Sequence, residues 1–244
     1  MQKRFWEIDF ARGLAVMAMV LFNWLFALHY LGLMPSFDPY SLFWWLFARV
    51  TAGSFIFLAG VSLYLNSVKS GGNNRILHHG VKLFALGMGI TIATALFLDS
   101  GFIVFGILHS IGFSIILALP LLNRSAKTLA VAGVAFVAAG IFISNYSFNF
   151  PWLLWLGVVP QGFYTLDFFP LLPWFGVMLL GIAFGKTNYA NRERNFPAPN
   201  WGKTILSKPI EFLGRHSLAI YLIHQPLLIA FLYLSGVPLH GLNI

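Results

Sequence analysis

Residues able to do chemistry are sparse in this chain and stand out against an apolar background. His29, His109 and His224 lie in apolar runs, and with Arg49 and Asp167 they form one polar set. A neutral imidazole can act as a general base or as a nucleophile. Asn23 carries an amide able to donate to a developing oxyanion. A second set, Asp9, Arg12, His78, His79, Lys82, Glu211, Arg215 and His216, flanks the apolar runs. Its cations suit an anionic ligand, a phosphate above all. Asp9 precedes Arg12 by three residues, a spacing at which an ion pair forms along a helix. The same cations also suit snorkelling to lipid phosphates, and each histidine taken alone suits a hydrogen-bonded core position. No H-x-x-x-H spacing supports a three-histidine zinc site, so no metal is expected. No Ser-His-Asp arrangement, phosphate loop or G-x-G-x-x-G is visible. The absence of cysteine excludes a thiolate nucleophile.

The elements that must position these groups are membrane helices. The 244 residues are 59% hydrophobic and only 9% charged, where a soluble domain carries about 25% charged residues. The mean hydropathy is +0.80. The net charge of +8 falls in short clusters between apolar runs, which reads as topology and excludes a nucleic-acid partner. A helix needs ~20 apolar residues to cross the hydrocarbon core. Segments 13–34, 41–65, 80–98, 102–122, 128–144, 171–185 and 214–236 reach that length or come close. The run from Gly13 to Met34 is too long for a cleavable signal and is kept as the first span. Continuous rather than alternating apolar runs speak against a β-barrel. The expectation is an all-α, polytopic membrane bundle of about seven transmembrane helices, integral to the cell membrane. The lipid bilayer is its solvent, and residues 1–244 form one domain.

Loop charges alternate. Lys3 and Arg4, then Lys69, Arg75 and Lys82, then Arg124 and Lys127, then Lys186, Arg192, Arg194, Lys203 and Lys208 fall on one side. The intervening loops hold Asp38, Asp99 and Asp167 without Lys or Arg, and the tail holds His240. The positive-inside rule then places the N-terminus in the cytoplasm and the C-terminus outside. This puts His29, Arg49, His109, Asp167 and His224 in the outer half of the membrane and the second set at its inner face. Residues 150–162, bracketed by Pro151 and Pro160, read as an interfacial or re-entrant piece with Trp152 and Trp155 at headgroup level; as a full span it would raise the count to eight. Gly181 and Gly185 suit close helix packing. The stretch 187–208 is linker-like, and no internal repeat is seen.

Several segments resemble one known family. Asp9-Phe-Ala-Arg12-Gly13, continuing to Asn23, looks like the start of the transmembrane acyltransferases. Asn23, where a larger branch of that superfamily has His, resembles the heparan-α-glucosaminide N-acetyltransferase catalytic-domain family in its short prokaryotic form. The resemblance extends through Phe55-Ile-Phe-Leu-Ala-Gly60-Val-Ser62, Gly106-Ile-Leu-His109, Asp167-Phe-Phe-Pro170-Leu-Leu-Pro173-Trp174-Phe-Gly176, Phe212-Leu-Gly214-Arg215-His216-Ser217 and Tyr221-Leu-Ile-His224-Gln225-Pro226.

The resemblance implies acetyl transfer from cytoplasmic acetyl-CoA to an extracytoplasmic acceptor, a sugar amine or hydroxyl, with a glycan as one such partner. Carried onto this chain, His29 takes the catalytic histidine's role and Asn23 lies ~9 Å before it along the helix, so that the thioester would come towards both. His109, Asp167 and His224 complete the catalytic candidates, with Asp167 orienting a histidine or binding the acceptor. Arg12, Asp9, Lys82 and Arg215 are the candidates for holding acetyl-CoA. A homo-oligomer is left open. Two other classes fit the same polar set: a transporter of a small polar solute, and a non-catalytic CoA-binding membrane subunit.

Overall fold

The computed structural model describes residues 4–70, 73–98, 100–148, 150–197, 204 and 207–237. The charges read from Lys3, Asp99, Lys203 and His240 lie outside the described residues. Among the described residues eight α-helices follow one another: α1 Trp6–Tyr30, α2 Leu42–Ser70, α3 Asn73–Phe97, α4 Ile107–Ala118, α5 Ala126–Ile143, α6 Leu171–Asn188, α7 Ser207–Arg215 and α8 Ser217–Leu234. No β-strand occurs among the described residues, where pairing is confined to two isolated bridges, Phe105 with Phe168 and Ser147 with Val159.

Each of the seven apolar runs became a helix. Five helices, α1, α2, α3, α5 and α8, are long and apolar enough to cross a membrane. Only 17% of the apolar stretch of α3, α5 or α8 is buried, so their outward faces require lipid. The other two runs behave differently. The apolar helix of α4 ends at Leu121, through a 3-10 turn over Leu119–Leu121. In α6 the buried residues run along the whole helix, and Met178, Leu179 and Ile182 are fully buried. Residues 150–162 hold a six-residue 3-10 turn, Pro151–Leu156, ended by Gly157 in the left-handed region. At about 2 Å per residue it is far too short to cross a bilayer, and Trp152 on it is 80% exposed.

The chain divides into two compact units, one of residues 1–55 and 198–242 with 244, the other of residues 56–197 with 243. In the first unit α1 packs on α7 and α8. A Cβ on Gly13 would be driven into the backbone carbonyl of Ile210, and one on Gly214 into that of Asp9. The two glycines therefore let α1 and α7 touch backbone to backbone. Phe22, Phe37, Trp44 and Phe47 pack their rings together and join α1 to the first turns of α2.

In the second unit α6 packs on α5 and α4, and α3 packs on α4. The close approaches again fall at glycines: Gly133 against Gly176, Gly80 against Gly112, and Gly60 against Gly181. Gly185 meets the ring of Tyr64. The helix-packing role expected of Gly181 and Gly185 is the role they have. Helices in lipid gain no hydrophobic energy by meeting each other, so close van der Waals contact at small residues takes its place.

Candidate functional site

In the first unit the structure brings Asn23 and His224 together across 201 residues of sequence. The Asn23 Nδ2 to His224 Nε2 distance is 3.0 Å. The imidazole Nδ1 lies 2.7 Å from the Tyr221 carbonyl and 3.2 Å from that of Ile220. A carbonyl only accepts, so Nδ1 carries the proton and Nε2 accepts from the Asn23 amide. The Gln225 side-chain amide reaches the Asn23 carbonyl at 3.5 Å. His224 is buried, and both its ring nitrogens are engaged. Asn23 keeps a second amide N–H beyond the one given to His224.

His29 lies six residues after Asn23 on the same helix, which turns it about 120° away around the axis. Its Nδ1 meets the Met34 carbonyl at 3.4 Å, and its ring stands edge-on to Phe37. The side chain is half-buried, and its Nε2 has no hydrogen-bond partner among the described residues. Of His29, His109 and His224, it is His29 whose imidazole keeps a basic nitrogen uncommitted. Helix periodicity thus turns Asn23 and His29 to different sides of α1. Arg49 stacks its guanidinium on the Trp45 ring at 3.8 Å.

The first unit also assembles an ion cluster where α1 begins and α7 ends. Asp9 is buried; its Oδ1 lies 3.6 Å from Arg12 Nη1 and its Oδ2 3.4 Å from Arg215 Nε. The anticipated i, i+3 pair therefore forms, and Arg215 joins it from the second helix. Gly214 makes this possible: its lack of a side chain seats α7 against the Asp9 backbone and sets the next residue beside the carboxylate. Arg215 Nη2 also donates to Glu211 Oε2 at 2.9 Å, while the other oxygen of Glu211 is buried without a hydrogen bond. The exposed Arg4 reaches Asp9 at 4.0 Å. Three arginines thus surround one aspartate, with one glutamate beside them.

His109, Asp167 and Lys82 belong to the second unit. Lys82 lies exposed on α3. His109 and Asp167 meet at the start of α4. The first turn of a helix leaves N–H groups without intrahelical partners. Here the Gly106 N–H donates to His109 Nδ1 at 3.2 Å, and the Ile107 N–H donates to Asp167 Oδ2 at 3.2 Å. A Cβ on Gly106 would occupy the space of that carboxylate. With Nδ1 accepting, His109 carries its proton on Nε2, directed to Thr91 Oγ1 at 3.4 Å. The ring is 2% exposed, between Phe84 and Phe105. An anionic side chain at a helix N-terminus also opposes the helix dipole favourably. Asp167→Ala is expected to cost about 0.5–2 kcal/mol of stability, read as a lowered unfolding midpoint, while Asp167→Asn, which keeps an acceptor oxygen, should recover part of it. An Asp167→Ala midpoint equal to the unaltered protein's would remove this capping role.

Signals for several of these contacts were absent from the sequence. Nothing in residues 1–30 points to His224, and Thr91 and Glu211 gain their roles only through packing. Among the described residues no three His, Cys, Asp or Glu side chains cluster closely enough to hold a metal. No curated protein and no solved structure matches the chain significantly. Residues 4–226 match the family described as heparan-alpha-glucosaminide N-acetyltransferase, catalytic. With five helices of membrane-crossing length among the described residues and that match over most of its length, the chain belongs to the heparan-alpha-glucosaminide N-acetyltransferase catalytic family of membrane acyltransferases.

Proposed function

We propose that this protein moves an acetyl group from cytoplasmic acetyl-CoA to an amine or hydroxyl on an extracytoplasmic acceptor, with residues 1–244 working as one seven-span domain, N-terminus inside. The observation that carries this reading is the family match over residues 4–226. The acceptor class follows from the family; a glycan is one such acceptor. Arg12 and Arg215 bind the CoA phosphates through charge-assisted hydrogen bonds, and Asp9 holds both guanidiniums in place.

His29 supplies the base. With its proton on Nδ1, its Nε2 lone pair takes the proton of the acceptor as the acceptor attacks the thioester carbonyl; alternatively Nε2 attacks first and forms an acetyl-imidazole. In either route the carbon–sulfur bond breaks, the thiolate of CoA leaves and the acceptor's proton ends on it; in the second route the acceptor then attacks the acetyl-imidazole and the carbon–nitrogen bond to Nε2 breaks. Asn23, steadied by His224, offers its second N–H to a carbonyl of the acyl-CoA arm. His109 and Asp167 act as positioning residues at the start of α4.

The test is acetyl-CoA binding to the detergent-purified protein, read by calorimetry and thermal shift. Arg12→Ala is expected to weaken binding about 10–100-fold, the equivalent of losing one hydrogen bond to a charged group. Absence of binding by folded, unaltered protein would overturn the proposal and turn attention to transport of a small polar solute.

A further inference from the structure

We infer that the 56–197 unit carries a binding site for a phosphate-bearing anion, in the cavity beside Lys186. The cavity measures about 480 Å3, within the range of small-molecule sites. It opens where the end of α2, the start of α3, the turn after α4 and the end of α6 come together. Tyr64, Ser67, Asn73, Asn123 and Lys186 supply its polar wall, and leucines of the α4 turn supply an apolar one.

The chemistry of this wall is that of an anion site. It offers the Tyr64 hydroxyl, two amides and an ammonium, the Ser67 hydroxyl donating instead to the Tyr64 carbonyl at 2.8 Å, and none of its lining residues is acidic. Lys186 is held in place: its Nζ donates to the Arg124 carbonyl at 2.7 Å and stands 5.9 Å from the Tyr64 ring centroid. Both contacts orient the ammonium without neutralising it. Lys186 forms no ion pair with a carboxylate among the described residues. A cation tethered at a cavity by a carbonyl differs from one that merely snorkels, because its position is fixed before a ligand arrives. A phosphate matches this set better than a carboxylate does, since it has more acceptor oxygens to share among ammonium, hydroxyl and amide donors. The apolar wall suits the glycerol and acyl end of a phospholipid, and the polar wall alone would serve a soluble phosphate. Both sources present the same chemistry.

The experiment uses the full chain with two probes, neither involving acyl transfer, so its outcome is independent of the proposed enzymatic activity. Inorganic phosphate is titrated onto lipid-depleted protein in detergent, followed by thermal shift. In parallel, the protein is reconstituted in phosphatidylcholine nanodiscs with or without phosphatidic acid, and retained lipid is counted by native mass spectrometry. Lys186→Gln removes the charge. Asn123→Leu keeps the Lys186 tether and makes the polar wall apolar. Lys208→Gln, which removes a cation from α7, is the control. The expected result is binding of one or both probes, weakened about tenfold or more in Lys186→Gln and in Asn123→Leu, and unchanged in Lys208→Gln. Phosphatidic acid retained without a phosphate response makes the occupant a lipid headgroup, and the reverse makes it a soluble phosphate. If Lys186→Gln does not fold, Asn123→Leu decides. No response in the unaltered protein, or an equal response in the folded cavity variants, overturns the inference.

Discussion

His29→Ala is expected to lower acetyl transfer by about 10²–10⁴-fold, the usual contribution of a general base, while leaving the unfolding midpoint close to that of the unaltered protein. Both halves follow from its surroundings. The Nδ1 bond to the Met34 carbonyl is long, at 3.4 Å, and exposed, so its loss removes little stability. The uncommitted Nε2 is the feature that His109 and His224 lack. His109 and His224 are buried and hydrogen-bonded through both ring nitrogens, and their alanine variants should lose stability along with activity. Activity and thermal midpoint measured on the same three purified variants separate the roles. His29→Gln sharpens the test, because glutamine can still donate to the Met34 carbonyl but cannot accept a proton at neutral pH. Full transfer by well-folded His29→Ala would remove His29 from the chemistry and leave His224 as the next candidate.

The largest loss of stability is expected at Asp9. Its carboxylate joins the first turns of α1 to the end of α7 by facing Arg12 and Arg215 together. Asp9→Ala should cost about 1–3 kcal/mol, between the surface and buried ranges, because Arg12 and Arg215 are 22% and 43% exposed. The cost comes chiefly from the arginines left behind, which remain where the glycine contacts put them. Arg4 contributes little to this figure, being exposed and 4.0 Å away. Arg215 retains Glu211, so Arg12 carries the greater share of the penalty. The double variant Asp9→Ala with Arg215→Ala should then cost less than the sum of its parts, as residues in one network do. Thermal unfolding in detergent provides the measurement. A midpoint for Asp9→Ala within a degree of the unaltered protein would show that the cluster does not hold the two helices together. Acetyl-CoA binding by the same variant bears on the proposed function, since Asp9 fixes the guanidiniums that would grip the phosphates.

Hydropathy alone determined that the chain is helical and lives in lipid, because a run of ~20 apolar residues has few other ways to satisfy its backbone. All seven runs are helices in the structure, although their bounds shifted. α1 begins at Trp6, well before the apolar run, because Glu7, Asp9 and Arg12 are accommodated in its first turns. α3 likewise takes in Arg75, His78 and His79. The Asp9–Arg12 pair was also legible, since i, i+3 proximity is a property of one helix. Tertiary structure decided everything that needed two helices. It joined Asn23 to His224, added Arg215 to Asp9, brought Asp167 to the start of α4, and opened a cavity beside Lys186. Apolar runs look alike to each other, and hydropathy does not say which faces meet. That choice rests on glycines at matching heights, whose missing side chains let particular backbones touch and so bring particular polar groups within a bond of one another.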